Sequence, residues 1–113
     1  MRLEDEVRLK HMLEAAQDAL RFSSGRVRAE LDDDRQLTFA LVKAVEIVGE
    51  AAYQMEDTTR GELSQIPWPD IVKMRHRLVH AYFDINLDIL WDTVQRNLPP
   101  LIAELEKVLG RKA

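Results

Sequence analysis

Apolar residues recur every three or four positions along most of this chain, which is the spacing of helices that bury one face. One such run extends from residue 3 to about residue 22, and another from Asp33 or Asp34, either of which can cap a helix, to about Met55. Only four Gly and four Pro occur in 113 residues, which also favours helix. We therefore expect an all-α fold, a compact up-and-down bundle of about four to six helices, with residues 1–113 as a single domain. The buried face of the first helix is predicted to carry Leu3, Val7, Leu9, Met12, Leu13, Ala16 and Leu20.

The second half of the chain is divided by polar residues and prolines. Residues 56–66 are predicted to form a connection with a possible helical turn, followed by a helix from about Trp68 to His80 or slightly beyond. Asn86 opens the next helical stretch, and Pro99-Pro100 should break or kink it near Asn97 before a terminal helix over residues 98–109. Gly49 inside the second long helix costs about 1 kcal/mol relative to Ala, so we interpret it as a point of close approach by a neighbouring helix.

Charge and residue usage exclude several classes of function. The net charge is −4, which argues against a domain that grips long duplex DNA through its phosphates. The absence of Cys excludes disulfides, thiolate metal sites and Cys nucleophiles, and there is no Gly-rich phosphate loop. The first residues, MRLEDEVRLK, lack the apolar region of a signal peptide, and no run of about 18 apolar residues occurs. These features predict a cytoplasmic protein without a membrane span.

The segment KMRHRLVHAY, residues 73–82, is the densest polar cluster of the chain. Arginine supplies a permanently charged fork that suits phosphate, and histidine donates or accepts protons near neutral pH. Together they meet the minimum needs of RNA cleavage, in which one group moves a proton and another stabilises charge growing on phosphorus. A run of this kind is also typical of an ordinary solvated helix face.

The spacing within this segment does not decide whether Arg75, His80 and Tyr82 line one site. On one continuous helix Arg75 and Tyr82 would share a face, whereas His80 would be offset from Arg75 by roughly 140°. All three could line one site only if the helix loosens around His80 or a second subunit completes the site. His76 and His80 have the i, i+4 spacing that can hold a metal, but no third ligand is evident and Arg75 and Arg77 would repel a cation. We expect no metal.

Two acidic residues, one histidine and both tryptophans outside this segment are also candidates. Glu46 and Glu50 form an i, i+4 acidic pair that is either ordinary solvated surface or, for Glu50, placed to face the arginine cluster of another helix. His11 is expected on the surface. Trp68 and Trp91 are expected to anchor the core or a dimer interface rather than to stack on bases.

The stretch IPWPDIVKMRHRLVHAYFDINLDILWDTVQRNLPPLIAELE resembles the HepT family, a group of HEPN-superfamily proteins. The family pattern is an IPW segment followed by M-R-polar-R-L-x-H-x-Y-F, a D-[IV]-W and an L-P-P-L. Upstream, AVEIVGEAA is similar to the family's second helix. The resemblance covers roughly residues 35 to 107, and the whole string in order is far more specific than R-x4-H-x-Y alone.

This resemblance implies an HEPN-like helical homodimer whose two motifs meet in a cleft across the dimer axis. It implies a metal-independent endoribonuclease without a cofactor, acting as the toxin of a toxin–antitoxin pair, with Arg75 and His80 as the catalytic residues. It also implies an MntA-type nucleotidyltransferase antitoxin that silences the toxin by transferring AMP from ATP to Tyr82. His76 stands where the family more often has Asn, and Ala81 where it often has Gly.

Supporting roles around the catalytic pair fall to Lys73, His76, Arg77 and Glu50 as candidates. Two alternatives to an RNA-cleaving toxin share the same fold. One is a non-catalytic subunit that binds nucleotide or substrate for a separate nucleotidyltransferase, and the other is a purely structural dimer module. The intact Arg75–His80 pair favours the toxin, because a binding module would not require it.

Overall fold

Two long antiparallel helices form the centre of the fold. The computed structural model describes residues 1–81 and 84–110, with His80 and Ala81 described by their backbone alone. Helix α1 (Leu3–Ser23) packs along α2 (Arg35–Gln54), and a 3-10 helix at Arg28–Asp32 joins them. The Asp34 carboxylate caps α2 by accepting a hydrogen bond from the Leu37 N–H at 2.9 Å. The two long predicted helices are confirmed to within about one residue at each end.

A short helix and a hairpin flank the helix that carries Lys73, Arg75, His76 and Arg77, the basic motif. Helix α3 (Asp57–Glu62) lies in the predicted connection, and α4 (Trp68–Leu78) packs against α2. The prediction that α4 reaches His80 or beyond is wrong, because residues 79–81 form strand β1 (Val79–Ala81), antiparallel to β2 (Asp84–Ile85).

The end of α4 has a physical reason. The β-branched Val79 begins a segment rich in residues that favour extended backbone, which competes with further helix. The Leu78 carbonyl, which a longer helix would pair internally, instead accepts a hydrogen bond from the Asn86 N–H at 2.7 Å. The hairpin therefore satisfies the backbone that the helix leaves behind.

The last helical stretch has an interruption in front of its two prolines. Helix α5 (Leu87–Asp92) begins after Asn86 and continues into a π-helical segment, Thr93–Asn97, and then α6 (Leu98–Leu109). The Leu98 N–H donates to the Thr93 carbonyl, an i to i−5 hydrogen bond. Pro99 and Pro100 lack N–H groups, so the wider turn accommodates them at the start of α6. The predicted break or kink near Asn97 thus takes the form of a π-helical turn without a gap in the helix, and the terminal helix over residues 98–109 is confirmed.

The core lies between α1, α2, α4, α5 and α6. Trp68 is buried, with its indole N–H donating to the Leu63 carbonyl at 3.1 Å, and Trp91 packs half-buried against the core. Leu3 and Val7, predicted on the buried face of α1, are instead 73% and 40% exposed, because they lie on a stripe of α1 beside the one that packs into the core. The fully buried large side chains are Leu9, Met12, Leu13, Leu41, Ile66, Ile71, Leu78, Leu90, Leu98, Leu105, Val45 and Val48.

At Gly49 the backbone of α4 closely approaches α2. A Cβ at this position would lie 3.4 Å from the Ile71 carbonyl oxygen and 3.8 Å from that of Val72. The predicted close approach at Gly49 is confirmed, and it holds the turn before Arg75 directly against α2. Within the described ranges, no helix has both the length and the apolar character needed to cross a bilayer.

Candidate functional site

A groove of about 920 Å³ runs along the side of the molecule where α1, α2 and α4 meet. Its walls combine exposed apolar side chains with charges of both signs. From α1 they are Leu3, Glu4, Val7, Arg8 and His11; from α2, Lys43, Glu46, Ile47, Gly49, Glu50, Ala51, Tyr53 and Gln54; and from α4, Val72, Arg75 and His76. We call this feature the groove.

A smaller cavity of about 290 Å³ lies on the other side of Arg75, and we call it the hollow. Arg75, Lys43 and Glu46 line both the groove and the hollow. The remaining described walls of the hollow are the apolar side chains of Phe39, Val42, Val79 and Ile85. Arg75 therefore stands at the boundary between the two cavities.

Arg75 is held loosely. Its side chain is 46% exposed, and its Nε lies 3.7 Å from Oε2 of Glu46, whose side chain is 36% exposed. This distance is too long for a strong hydrogen bond, so the pair is an ion pair with a guanidinium that still faces solvent.

The other basic residues of the motif divide between two faces of α4. His76 lines the groove beside Arg75. Lys73 and Arg77 are exposed and line neither the groove nor the hollow; one Arg77 guanidinium N–H donates to the Asp70 carbonyl at 2.9 Å. The division follows from the helical turn of about 100° per residue, which points positions 73 and 77 away from positions 72, 75 and 76.

The remaining two motif residues cannot be placed in the site. His80 belongs by its backbone to β1, beyond the end of α4, and its side chain lies outside the described residues. Tyr82 also lies outside the described residues. Because α4 ends at Leu78, His76 and His80 do not share one continuous helix, which removes the i, i+4 geometry of the metal alternative. Over the described part of the chain, no three His, Cys, Asp or Glu side chains gather into a metal site.

The two acidic residues of α2 have different contacts. Glu50 is exposed and lines the groove, where its carboxylate accepts a hydrogen bond from the Gln54 amide at 3.0 Å. Glu46, rather than Glu50, pairs with Arg75. Glu50 thus shares a groove with the arginine, as one interpretation of the sequence anticipated, without contacting it in the described structure.

His11 is exposed as predicted, but the sequence analysis did not connect it with the motif. It lies on α1 and lines the same groove as Arg75 and His76. The available signal was the four-residue spacing of Leu3, Val7 and His11, which defines a second stripe of α1 beside the core-facing one. Phe39, on the hollow side of Arg75, was also missed.

The two cavities differ in their charge. The described walls of the groove carry three cations, Arg8, Lys43 and Arg75, and three carboxylates, Glu4, Glu46 and Glu50, so their formal charges balance. Hydrogen bonding to its own backbone N–H and then the nearby Arg2 guanidinium lower the pKa of Glu4, which keeps this carboxylate ionised. The described walls of the hollow carry two cations and one carboxylate, and are otherwise apolar.

The family described as "Ribonuclease HepT-like" matches residues 12–108. This range includes α2, α4 and Arg75, which lines both cavities. The chain belongs to the HepT-like ribonuclease family. Among its relatives, "Putative RNase TTE0752" of Caldanaerobacter subterraneus is 31% identical over 104 residues, covering 92% of this chain and 93% of the relative. "Probable ribonuclease HepT" of Thermococcus cleftensis is 36% identical over 75 residues, covering 66% and 68% of the two chains. No solved structure gives a significant match to this chain.

Membership confirms the predicted family and the predicted class of enzyme, a ribonuclease. The helical bundle of this HepT-like ribonuclease likewise agrees with the predicted all-α, HEPN-like architecture. Arg75, Glu46 and Glu50 all lie within the matched region.

Proposed function

We propose that this HepT-like ribonuclease is the toxin of a toxin–antitoxin pair, a single HEPN domain that acts in the cytoplasm as a metal-independent endoribonuclease. The ribose 2′-hydroxyl attacks the neighbouring phosphorus while the bond to the 5′ oxygen of the next nucleotide breaks. The products are a 2′,3′-cyclic phosphate and a free 5′-hydroxyl. His80 serves as general acid or base, and Arg75 stabilises the charge on the phosphorane-like transition state.

The observation that carries this proposal is the position of Arg75. Its guanidinium stands at the boundary of the groove and the hollow, nearly half exposed. Among the described residues its ion-pair partner is Glu46, and at 3.7 Å that contact leaves the donor groups able to bind a phosphate.

The end of α4 supports the pairing of Arg75 with His80. A continuous helix would separate the two side chains by roughly 140° around its axis. Because α4 ends at Leu78 and residues 79–81 continue as a strand, that constraint does not apply to His80. The first of the two conditions for a shared site, a helix that loosens before His80, is therefore met by the backbone.

The groove supports a homodimer. Leu3, Val7, Ile47 and Tyr53 line it and are 73%, 40%, 37% and 62% exposed, which is a large apolar surface for a monomer to leave in water. Its balanced charges suit a self-complementary contact around a two-fold axis better than a polyanion. A second copy seated there would bring a second Arg75 towards the first.

The partner proposed for the toxin is an MntA-type nucleotidyltransferase antitoxin, which transfers AMP from ATP to Tyr82. This part of the proposal rests on the family resemblance. An AMP phosphate close to the motif would compete with RNA for Arg75 by charge and by size.

The test is a cleavage assay on labelled single-stranded RNA in the presence of a chelator. We expect cleavage with cyclic phosphate ends, and loss by about 10²–10⁴-fold in Arg75→Ala and His80→Ala with the helical circular dichroism unchanged. Arg96→Ala, which removes an 80% exposed arginine outside both cavities, is the matched control and should retain activity. Wild-type rates in either catalytic variant, or cleavage that a chelator abolishes and a divalent metal restores, would contradict the mechanism.

A further inference from the structure

Phe39 is an exposed aromatic residue with a cavity beside it. Its side chain lies on α2 and is 52% exposed, although the neighbouring Leu37 and Thr38 are buried. It forms one wall of the hollow, which continues across Val42, Val79 and Ile85 to Arg75. At about 290 Å³ the hollow is at the small end of ligand pockets, a size suited to one flat ring rather than to a larger ligand.

Cations surround this aromatic wall. The Arg35 guanidinium carbon lies 5.2 Å from the centre of the Phe39 ring, within the range of a cation–π contact. Arg35, Phe39 and Lys43 follow each other at intervals of four residues, so they lie along one face of α2. Lys43 and Arg75 line the hollow and Arg35 lies against its Phe39 wall, whereas the single described carboxylate that lines it is Glu46, in a chain whose net charge is −4.

We propose that the hollow is a subsite for one unpaired nucleobase of the RNA substrate, next to the phosphate that Arg75 binds. The base stacks on Phe39, and Arg35 and Lys43 contact the adjoining backbone phosphates. A base can enter the hollow only when it is unstacked from its neighbours, so the enzyme selects single-stranded segments. This inference deepens the proposed function and rests on it for the role of Arg75.

The chain contains a matched control for Phe39. Phe22 near the end of α1 is also exposed, at 39%, and the Arg21 guanidinium carbon lies 5.5 Å from its ring centre. Phe22 lines neither the hollow nor the groove. An effect of Phe39 that came only from exposed aromatic surface beside an arginine would therefore also appear at Phe22.

The experiment measures binding separately from cleavage. A fluorescent, 2′-O-methylated RNA oligonucleotide cannot be cleaved by 2′-hydroxyl attack, so its equilibrium affinity can be measured with the active enzyme. Stacking of one base on an aromatic ring corresponds to about 5- to 150-fold in affinity, so Phe39→Ala should weaken binding within this range. Phe39→Trp should keep the affinity, Phe22→Ala should leave it unchanged, and a duplex of the same sequence should bind more weakly than the single strand.

An abasic scan locates the base. A single abasic position is moved along the oligonucleotide, and we expect one position at which the missing base weakens binding to the wild type but not to Phe39→Ala. If Phe39→Ala and the wild type bind RNA with equal affinity, the subsite is overturned. The proposed function would still stand if the wild type cleaves RNA. Light scattering that shows Phe39→Ala as monomeric and the wild type as dimeric would instead assign Phe39 to a contact between copies. If the wild type does not cleave RNA but its binding still depends on Phe39, the proposed function is overturned and the subsite is supported.

Discussion

Arg75 on α4 and Glu46 on α2 face each other at the boundary between the groove and the hollow, with Nε and Oε2 3.7 Å apart. Both side chains are more than a third exposed, so the pair contributes little to the stability of the fold, at most about 1 kcal/mol. If Arg75 binds an RNA phosphate as proposed, the larger effect of the pair is on binding, because the Glu46 carboxylate would compete with that phosphate for the guanidinium.

Replacing Glu46 by Gln should strengthen RNA binding. The change keeps the shape of the side chain and removes one negative charge from both cavities, so the KM for RNA should fall about two- to fivefold with kcat unchanged. Glu104→Gln, which removes a carboxylate paired with Lys107 on α6, should leave KM as it is. A large fall in kcat for Glu46→Gln would show instead that this carboxylate takes part in the chemistry.

The homodimer should depend on the apolar side chains of the groove. We expect light scattering to report twice the chain mass of 13.1 kDa for the wild type and a single chain for Ile47→Asp, which places a charge in the groove. Val27→Asp, at an apolar side chain that is 59% exposed and lies outside the groove, should remain dimeric. A wild-type monomer that still cleaves RNA would rule out a shared site.

Silencing should require the hydroxyl of Tyr82. Mass spectrometry of protein co-expressed with the nucleotidyltransferase should show one or more AMP groups on the peptide that contains Tyr82. Tyr82→Phe should still cleave RNA, because the cleavage step does not use the phenol, and should escape silencing. AMP on a different residue, or complete silencing of Tyr82→Phe by transfer, would refute this control mechanism.

Asp5 should make the fold sensitive to acid. Its carboxylate is fully buried and accepts hydrogen bonds from the Thr59 hydroxyl, the Arg8 guanidinium and the Glu56 N–H. Burial alone raises the pKa of Asp5, but these hydrogen bonds together lower it below the ordinary value near 4. The ionised carboxylate therefore stabilises the fold above pH 4, and this contribution is lost as the pH falls through the folded-state pKa.

Asp5→Asn should accordingly lower the free energy of unfolding by about 1–3 kcal/mol at pH 7, or several degrees in Tm. The difference from the wild type should shrink as the pH falls from about 5 to about 3. Asp18→Asn, which changes a 42% exposed carboxylate on the same helix, should have little effect at any pH in thermal unfolding followed by circular dichroism. A constant difference between Asp5→Asn and the wild type across this range would disprove the titration.

The helices of this protein were predictable because their signals are local. The apolar spacing of α1 and α2, the cap at Asp34 and the prolines in the first turn of α6 each act within a few residues, and the helices that they predict appear in the structure. The hairpin was missed because β1 and β2 contain only five residues together and their pairing competes with a helix that the basic motif would otherwise extend. Leu3 and Val7 fit the helical period, yet spacing alone cannot tell a buried stripe from an exposed one.

The candidate site was predictable only in part for the same reason. Arg75 could be chosen from residues close to it in sequence, and the resemblance to the HepT family covered the same segment. The groove, in contrast, joins His11 on α1 to His76 on α4, and the hollow joins Phe39 on α2 to Ile85 in strand β2 of the hairpin. These neighbours arise from the packing of three helices, and nothing in the local pattern of either segment specifies the other.

Gly49, on the face of α2 that meets α4, sets a condition on moving the candidate site into another protein. A Cβ at position 49 would already be in van der Waals contact, 3.4 Å from the Ile71 carbonyl oxygen, so a side chain longer than that of Ala would push the two helices apart. If α4 alone were copied beside a helix with a larger residue at this point, that helix would be held farther from Arg75. The smallest portable unit is therefore a pair of helices, with Gly49 transplanted together with Arg75.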